Sequence, residues 1–160
     1  MAKYEVNNRL AGTQQNISTT FGATSVAVGI NATTSALCRG RLVEFAFGAD
    51  GAPNASDTQI VYDVSRMTVA GTATAATPLP QDTLSGACQT SAFVNYTVAP
   101  TVTAASSVKT FALNQRATQR WVAGPDDKIS WPATAASGFV FRALSPVYAA
   151  PVLYHVTFEE

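Results

Sequence analysis

The chain has 160 residues, 47% hydrophobic but only 12% charged, and its ten basic side chains balance ten acidic ones. One domain of that length buries a core without staples, and the charge balance leaves no basic stripe to displace counterions from phosphates, which argues against nucleic acid as a partner. Thr, Ser, Ala, Asn and Gln stand where charge is missing, and such small neutral side chains lose little entropy when another protein covers them.

In chain order, residues 1–24 are rich in Asn, Gln, Thr and Ser and read as an extended N-terminal arm that gains order against a partner. The start, Met1 to Arg9, carries charge and amides where an export signal needs an apolar stretch. No window approaches the roughly 18 apolar residues of a membrane helix, so the expectation is a soluble product with no membrane partner. Residues 25–160 read as a single domain. No segment keeps a helical stripe, so strands must carry the fold.

Strands are predicted at Ser25–Ile30 and at Arg41–Gly48, where Val43, Phe45 and Phe47 alternate with Leu42, Glu44 and Ala46. The turn Asp50–Asn54 follows, then Gln59–Val69, with Ile60, Tyr62 and Val64 on one side and Asp63, Ser65 and Met67 on the other. The Thr, Ala and Pro stretch Gly71–Pro80, continued by Gln81–Thr90, reads as a long connection crossing between sheets. Ala92–Val98 and Val108–Leu113 are the next strands, with Arg120–Val122 continuing the second. Lys128–Trp131, Gly138–Leu144 and Val152–Phe158 close the chain. About eight short strands with long crossings suit an all-β, jelly-roll-like antiparallel β-sandwich better than an up-and-down barrel.

The inventory disfavours an enzyme. His155 is the only histidine and alternates with Val152, Tyr154 and Val156 onto the opposite, outer face; no Gly-x-Ser-x-Gly elbow marks a nucleophile. Asp126 and Asp127 follow Gly124-Pro125 as a turn, and Asp50, Asp57, Asp63 and Asp82 are scattered, so neither metal nor cofactor is expected. Cys38 and Cys88 are too few and too distant for a zinc knuckle and read as free thiols, pairing only if their strands are neighbours in an oxidising compartment. Trp121, Trp131, Tyr62, Tyr96, Tyr148 and Tyr154 serve either core packing or a stacking platform for sugars. Arg116 and Arg120 flank Trp121, and Arg142 lies between Phe141 and Ala143. Two readings stay open for these arginines: intramolecular carboxylate or cation–π pairs, or anchors of a subunit interface, where Trp and Arg are enriched.

The words Leu113-Asn114-Gln115-Arg116-Ala117, Arg120-Trp121-Val122-Ala123, Pro132-Ala133-Thr134-Ala135, Gly138 and Arg142 to Tyr148 form a pattern. With Val98 to Ala104 and the acidic end Phe158-Glu159-Glu160, it resembles the capsid decoration, or cement, proteins of tailed bacteriophages over roughly residues 40–160. The resemblance implies a small β-sandwich, made in the host cytoplasm, that binds the outside of the phage head, often as a homotrimer over local threefold axes, with itself and the major capsid protein as partners and the virion as its location. A phage tail or carbohydrate-binding receptor module is the alternative. Asn114, Arg116, Arg120, Trp121, Arg142 and Tyr148 are matching positions, to which the resemblance assigns no role; Arg116, Arg120, Trp121, Arg142 and Tyr148 are the candidate interface residues.

Overall fold

A computed structural model describes residues 1–9, 25–32, 38–127, 129–145 and 150–160. Among them lie twelve strands: β1 Lys3–Asn7, β2 Ser25–Ala32, β3 Gly40–Ala49, β4 Gln59–Val69, β5 Thr72–Ala76, β6 Leu79–Pro80, β7 Thr90–Val98, β8 Thr101–Asn114, β9 Thr118–Val122, β10 Ser130–Trp131, β11 Gly138–Leu144 and β12 Val152–Glu159. They form two six-stranded antiparallel sheets. The first runs β10-β3-β12-β1-β6, with β9 also paired to β3, and the second runs β5-β7-β2-β11-β4-β8.

Eight of these strands obey one rule. β1 pairs with β12, β2 with β11, β3 with β9 and β4 with β8, so the pairs nest from the chain ends inward like one long folded ribbon. Rolling that ribbon brings β12 onto β3 and β11 onto β4, which yields β1-β12-β3-β9 facing β2-β11-β4-β8, the jelly-roll order of a β-sandwich. The segment β5-β6-β7 is inserted between β4 and β8; β7 adds to β2, β5 lies outside β7, and β6 lies outside β1.

Period-two alternation delivers the core. Tyr4, Val6, Phe45, Phe47, Tyr154, Val156 and Phe158 of the first sheet pack with Val28, Ile30, Ile60, Tyr62, Val64, Phe139 and Phe141 of the second. Aromatic rings knit the two layers at the centre, with Phe47 4.6 Å from Tyr62 and Phe45 5.6 Å from Phe141 between ring centroids. In the offset and edge-on geometries such pairs add about 0.5–1.5 kcal/mol each beyond the area they bury.

Several elements differ from the sequence reading. Leu42, expected opposite Phe45 and Phe47, is fully buried with them. The register steps from Thr157↔Glu44 to Phe158↔Leu42, so Val43 is an extra residue and the bulge turns Leu42 inward. Within the expected arm, Lys3–Asn7 is a strand bonded between β12 and β6. The next residue, Asn8, is fully buried: its Nδ2 donates to the Val152 carbonyl at 2.6 Å, and its Oδ1 accepts from the Tyr154 amide at 2.8 Å. The other arm residues, 10–24, lie outside the described residues. The connection after Gly71 does cross between the sheets, and it carries β5 and β6 on the way. β9 does not continue β8. A turn closed by the Ala117 amide on the Asn114 carbonyl carries the chain to the other sheet. Of the predicted strand Lys128–Trp131, Ser130–Trp131 forms, Ile129 is not in a strand, and Lys128 lies outside the described residues.

Part of the outer face of the second sheet is also buried. The β4–β8 ladder shifts register three times between Val64 and Val69, and Met67 and Val140 are buried there with Tyr96 and Val102 packed against them. Asn95 adopts a φ of 53°, which breaks the alternation of β7 and lets Tyr96 lie over Gly29. A Cβ on Gly29 would stand 1.8 Å from the Tyr96 hydroxyl, so only glycine fits beneath that ring.

Candidate interaction surfaces

Three of the predicted interface residues gather on one flank of the sandwich, where the edge strands β8 and β9 meet. Arg120 on β9 grips Glu44 of β3 through two parallel hydrogen bonds, Nε to Oε1 at 2.5 Å and Nη2 to Oε2 at 2.7 Å. The Arg120 bonds hold the Glu44 carboxyl below its ordinary value of 4.5, against a smaller opposing effect of burial. Trp121 turns inward and stacks on Phe45 with 4.9 Å between centroids. Its ring also takes the ammonium of Lys109 at 5.2 Å, and that ammonium sits 3.4 Å from Asp127. Arg116, in the turn between the two strands, lies 3.7 Å from Asp57.

Arg142 is elsewhere, on the outer face of the second sheet beneath residues 102–107 of β8. Its Nε and Nη2 each donate to Asp63 at 2.9 Å, and Nη2 also reaches the Ser65 hydroxyl at 3.0 Å. Ser65 donates in turn to both Asp63 oxygens. The pair is nearly closed to water, its side chains 18% and 8% exposed, and borders a cavity of about 340 Å³ shared with Thr103, Ser106 and Ser107. Tyr148 lies outside the described residues. For Arg116, Arg120 and Arg142 the geometry thus realises the intramolecular reading, each facing a carboxylate of its own chain.

The remaining candidates sort by burial. Trp131 is 1% exposed and fills the space over Gly40, while Tyr62 and Tyr154 are fully buried; none of the three is open to a sugar. Burial raises the Tyr154 hydroxyl well above 10.0, and that hydroxyl donates to the Arg142 carbonyl. His155 faces outward, 3.8 Å from Glu5. It lines a shallow depression of about 420 Å³ whose floor is Ala46 and Gly48 of β3, between Leu153 of β12 and Thr118 and Arg120 of β9. Asp127 closes a turn on the Gly124 carbonyl. Cys38 and Cys88 are free thiols, and desolvation, reinforced by Glu160, pushes Cys88 up to about 12. Among the described residues, no group of three or more His, Cys, Asp or Glu is placed to hold a metal ion, and no helix is long and apolar enough to cross a membrane.

Sequence reasoning missed the partners. Glu44 meets Arg120 across 76 residues and Asp63 meets Arg142 across 79. Gln115, 3% exposed, organises the loop before β4: its Oε1 accepts from the Asn54 amide and the Thr58 hydroxyl, and its Nε2 donates to the carbonyls of Asn54 and Ser56. No local pattern announces such long-range pairs; the bulky planar cations close to aromatic residues were the only visible half.

No family model matches the chain, and no match was found among curated proteins or solved structures.

Proposed function

We propose that this chain is a virion structural protein: a cement protein that docks on the outside of a tailed-phage head, against the major capsid protein and copies of itself, and strengthens the shell. One observation carries the reading. Arg116, Arg120 and Arg142 face carboxylates of their own chain, while large apolar side chains stand in water at Val69, Leu79, Leu84, Val98 and Val122, each more than half exposed. Arginines matched within the chain, beside apolar surface left in water, suit contact with other subunits. Its effect on the shell follows from mass action, because a ligand that binds only the expanded lattice stabilises that lattice.

The test is co-sedimentation with expanded and unexpanded capsids, alongside light scattering of the free chain. Binding confined to the expanded form, by a trimer, is the expected result. A monomer that stays in the supernatant with both capsid forms would remove the proposal.

A further inference from the structure

β8 departs from its partner strand over a buried ion pair. Ser65 faces Ser107 and Met67 faces Val102, so residues 103–106 of β8 stand against Arg66 alone. The Ser106 hydroxyl pins this bulge by donating to the Arg66 carbonyl at 3.2 Å. Bulges recur beside functional sites, where they re-aim side chains, and this one borders the cavity of about 340 Å³ above Asp63, Ser65 and Arg142. Ligand pockets run from roughly 300 to 1,000 Å³, so the space suits one small molecule.

Stability alone does not call for the ion pair. Met67 and Val140 pack with Tyr96 and Val102 on the same face, and apolar groups in place of a buried ion pair are often neutral or stabilising. The hydrogen bonds show what the pair offers instead. Each Asp63 oxygen already accepts from Arg142 and from Ser65. Arg142 spends Nε and Nη2 on those two partners, while Nη1, with two further N–H groups, makes no hydrogen bond among the described residues. The Thr103 hydroxyl on the cavity wall has no partner among them either. The pair thus presents donors, not acceptors, to a newcomer. Its charges cancel, and the rest of the lining is Ser, Thr, Val102 and Ala104.

We propose that this cavity binds a small neutral polyol the size of a single sugar ring, its oxygens accepting from Arg142 Nη1 and Thr103 and its C–H face lying on Val102 and Ala104. An anion would meet the Asp63 carboxylate directly behind the guanidinium, and a cation would meet Arg142 itself, so neutrality is part of the selection. Free sugars and the terminal sugars of glycans share this chemistry. The site uses none of the aromatic side chains that sequence offered for sugar stacking, and it does not depend on the capsid reading.

Titration followed by amide nuclear magnetic resonance tests it, with glucose, galactose, N-acetylglucosamine and sorbitol as probes. At least one is expected to shift the amides of residues 63, 65 and 102–107 saturably. Glucuronate and glucosamine should bind about tenfold more weakly or worse, the penalty of bringing like charges together. Thr103→Val, at an exposed position, should leave the thermal melt unchanged and weaken binding about fivefold, as the loss of one hydrogen bond implies. Arg142→Lys keeps a cation beside Asp63 but lacks Nη1 and should abolish the shifts; if it fails to fold, Thr103→Val still decides. The absence of a saturable shift with every neutral probe overturns the site, as does tighter binding of glucuronate or an affinity unchanged in Thr103→Val. Capture on the bound sugar displayed at glycan ends tells a surface glycan from a free sugar. Co-sedimentation with capsids is read separately on Thr103→Val, so that either proposal can fail alone.

Discussion

A Cβ placed on Gly40 would stand 1.9 Å from Cζ2 of Trp131 and 2.2 Å from Cε2. The indole cannot retreat, since it is held edge-on by Phe139 and Phe158 at 6.1 and 5.7 Å. Gly40→Ala is therefore expected to cost about 1–3 kcal/mol, the usual penalty for overpacking, read as a lower urea midpoint at unchanged slope. An unshifted midpoint would mean the indole has room that the packing denies. The buried pair Arg142–Asp63 makes a second prediction at this scale. Removing one partner strands the other charge away from water, which costs about 3–5 kcal/mol, whereas replacing both with apolar groups is often close to neutral. Asp63→Leu and Arg142→Met should each be strongly destabilising and the double variant much less so. Additive losses in that cycle would show that the two groups do not depend on each other.

Strands became visible from sequence wherever one face alternates large apolar groups. β4 and β11 have the bounds read from sequence, Gln59–Val69 and Gly138–Leu144. β5 was missed because Thr and Ala carry no contrast between faces, and β1 because Lys3, Glu5 and Asn7 hide a short Tyr4–Val6 alternation that is 3% exposed at both residues. The bulge at Val43 was missed because it shows only in the pairing of β3 with β12. The candidate surface was half legible: the arginines stood out, while Glu44 and Asp63 gave no sign. The Glu44–Arg120 clasp gives β9 a pH dependence whose sign is fixed. Because the folded carboxyl titrates below its ordinary 4.5, the clasp contributes fully above that value and is lost as pH falls through the folded pKa. Trp121 on β9 reports it, with Trp131 replaced by Phe. Its emission is expected to shift to the red in acid at pH values below the ordinary glutamate range, while Glu44→Gln shows no such step. The same acid step in both proteins would assign it to another group.

At the scale of the whole molecule, the nested pairing makes the chain ends neighbours: Lys3 opposes Glu159, and Asn7 opposes His155. No local cue encodes that closure, which is why a polar start read as an arm. β1 supplies the pairing for one side of β12 from His155 to Glu159 and contributes Tyr4 and Val6 to the core, worth about 1.5–3 kcal/mol for each apolar side chain buried. Domains of this kind are stable by only about 5–15 kcal/mol. Deleting residues 1–8 removes both side chains, uncovers the edge of β12 and takes away Asn8, the sole side chain bonded to both the Val152 carbonyl and the Tyr154 amide among the described residues. The truncated chain is expected to lose its cooperative thermal transition, and Asn8→Ala alone to cost about 1–3 kcal/mol for the polar groups it strands. An arm without a structural role predicts the opposite, an unchanged melt for both. Far-ultraviolet dichroism through a melt therefore decides whether the first eight residues belong to the sandwich or merely precede it.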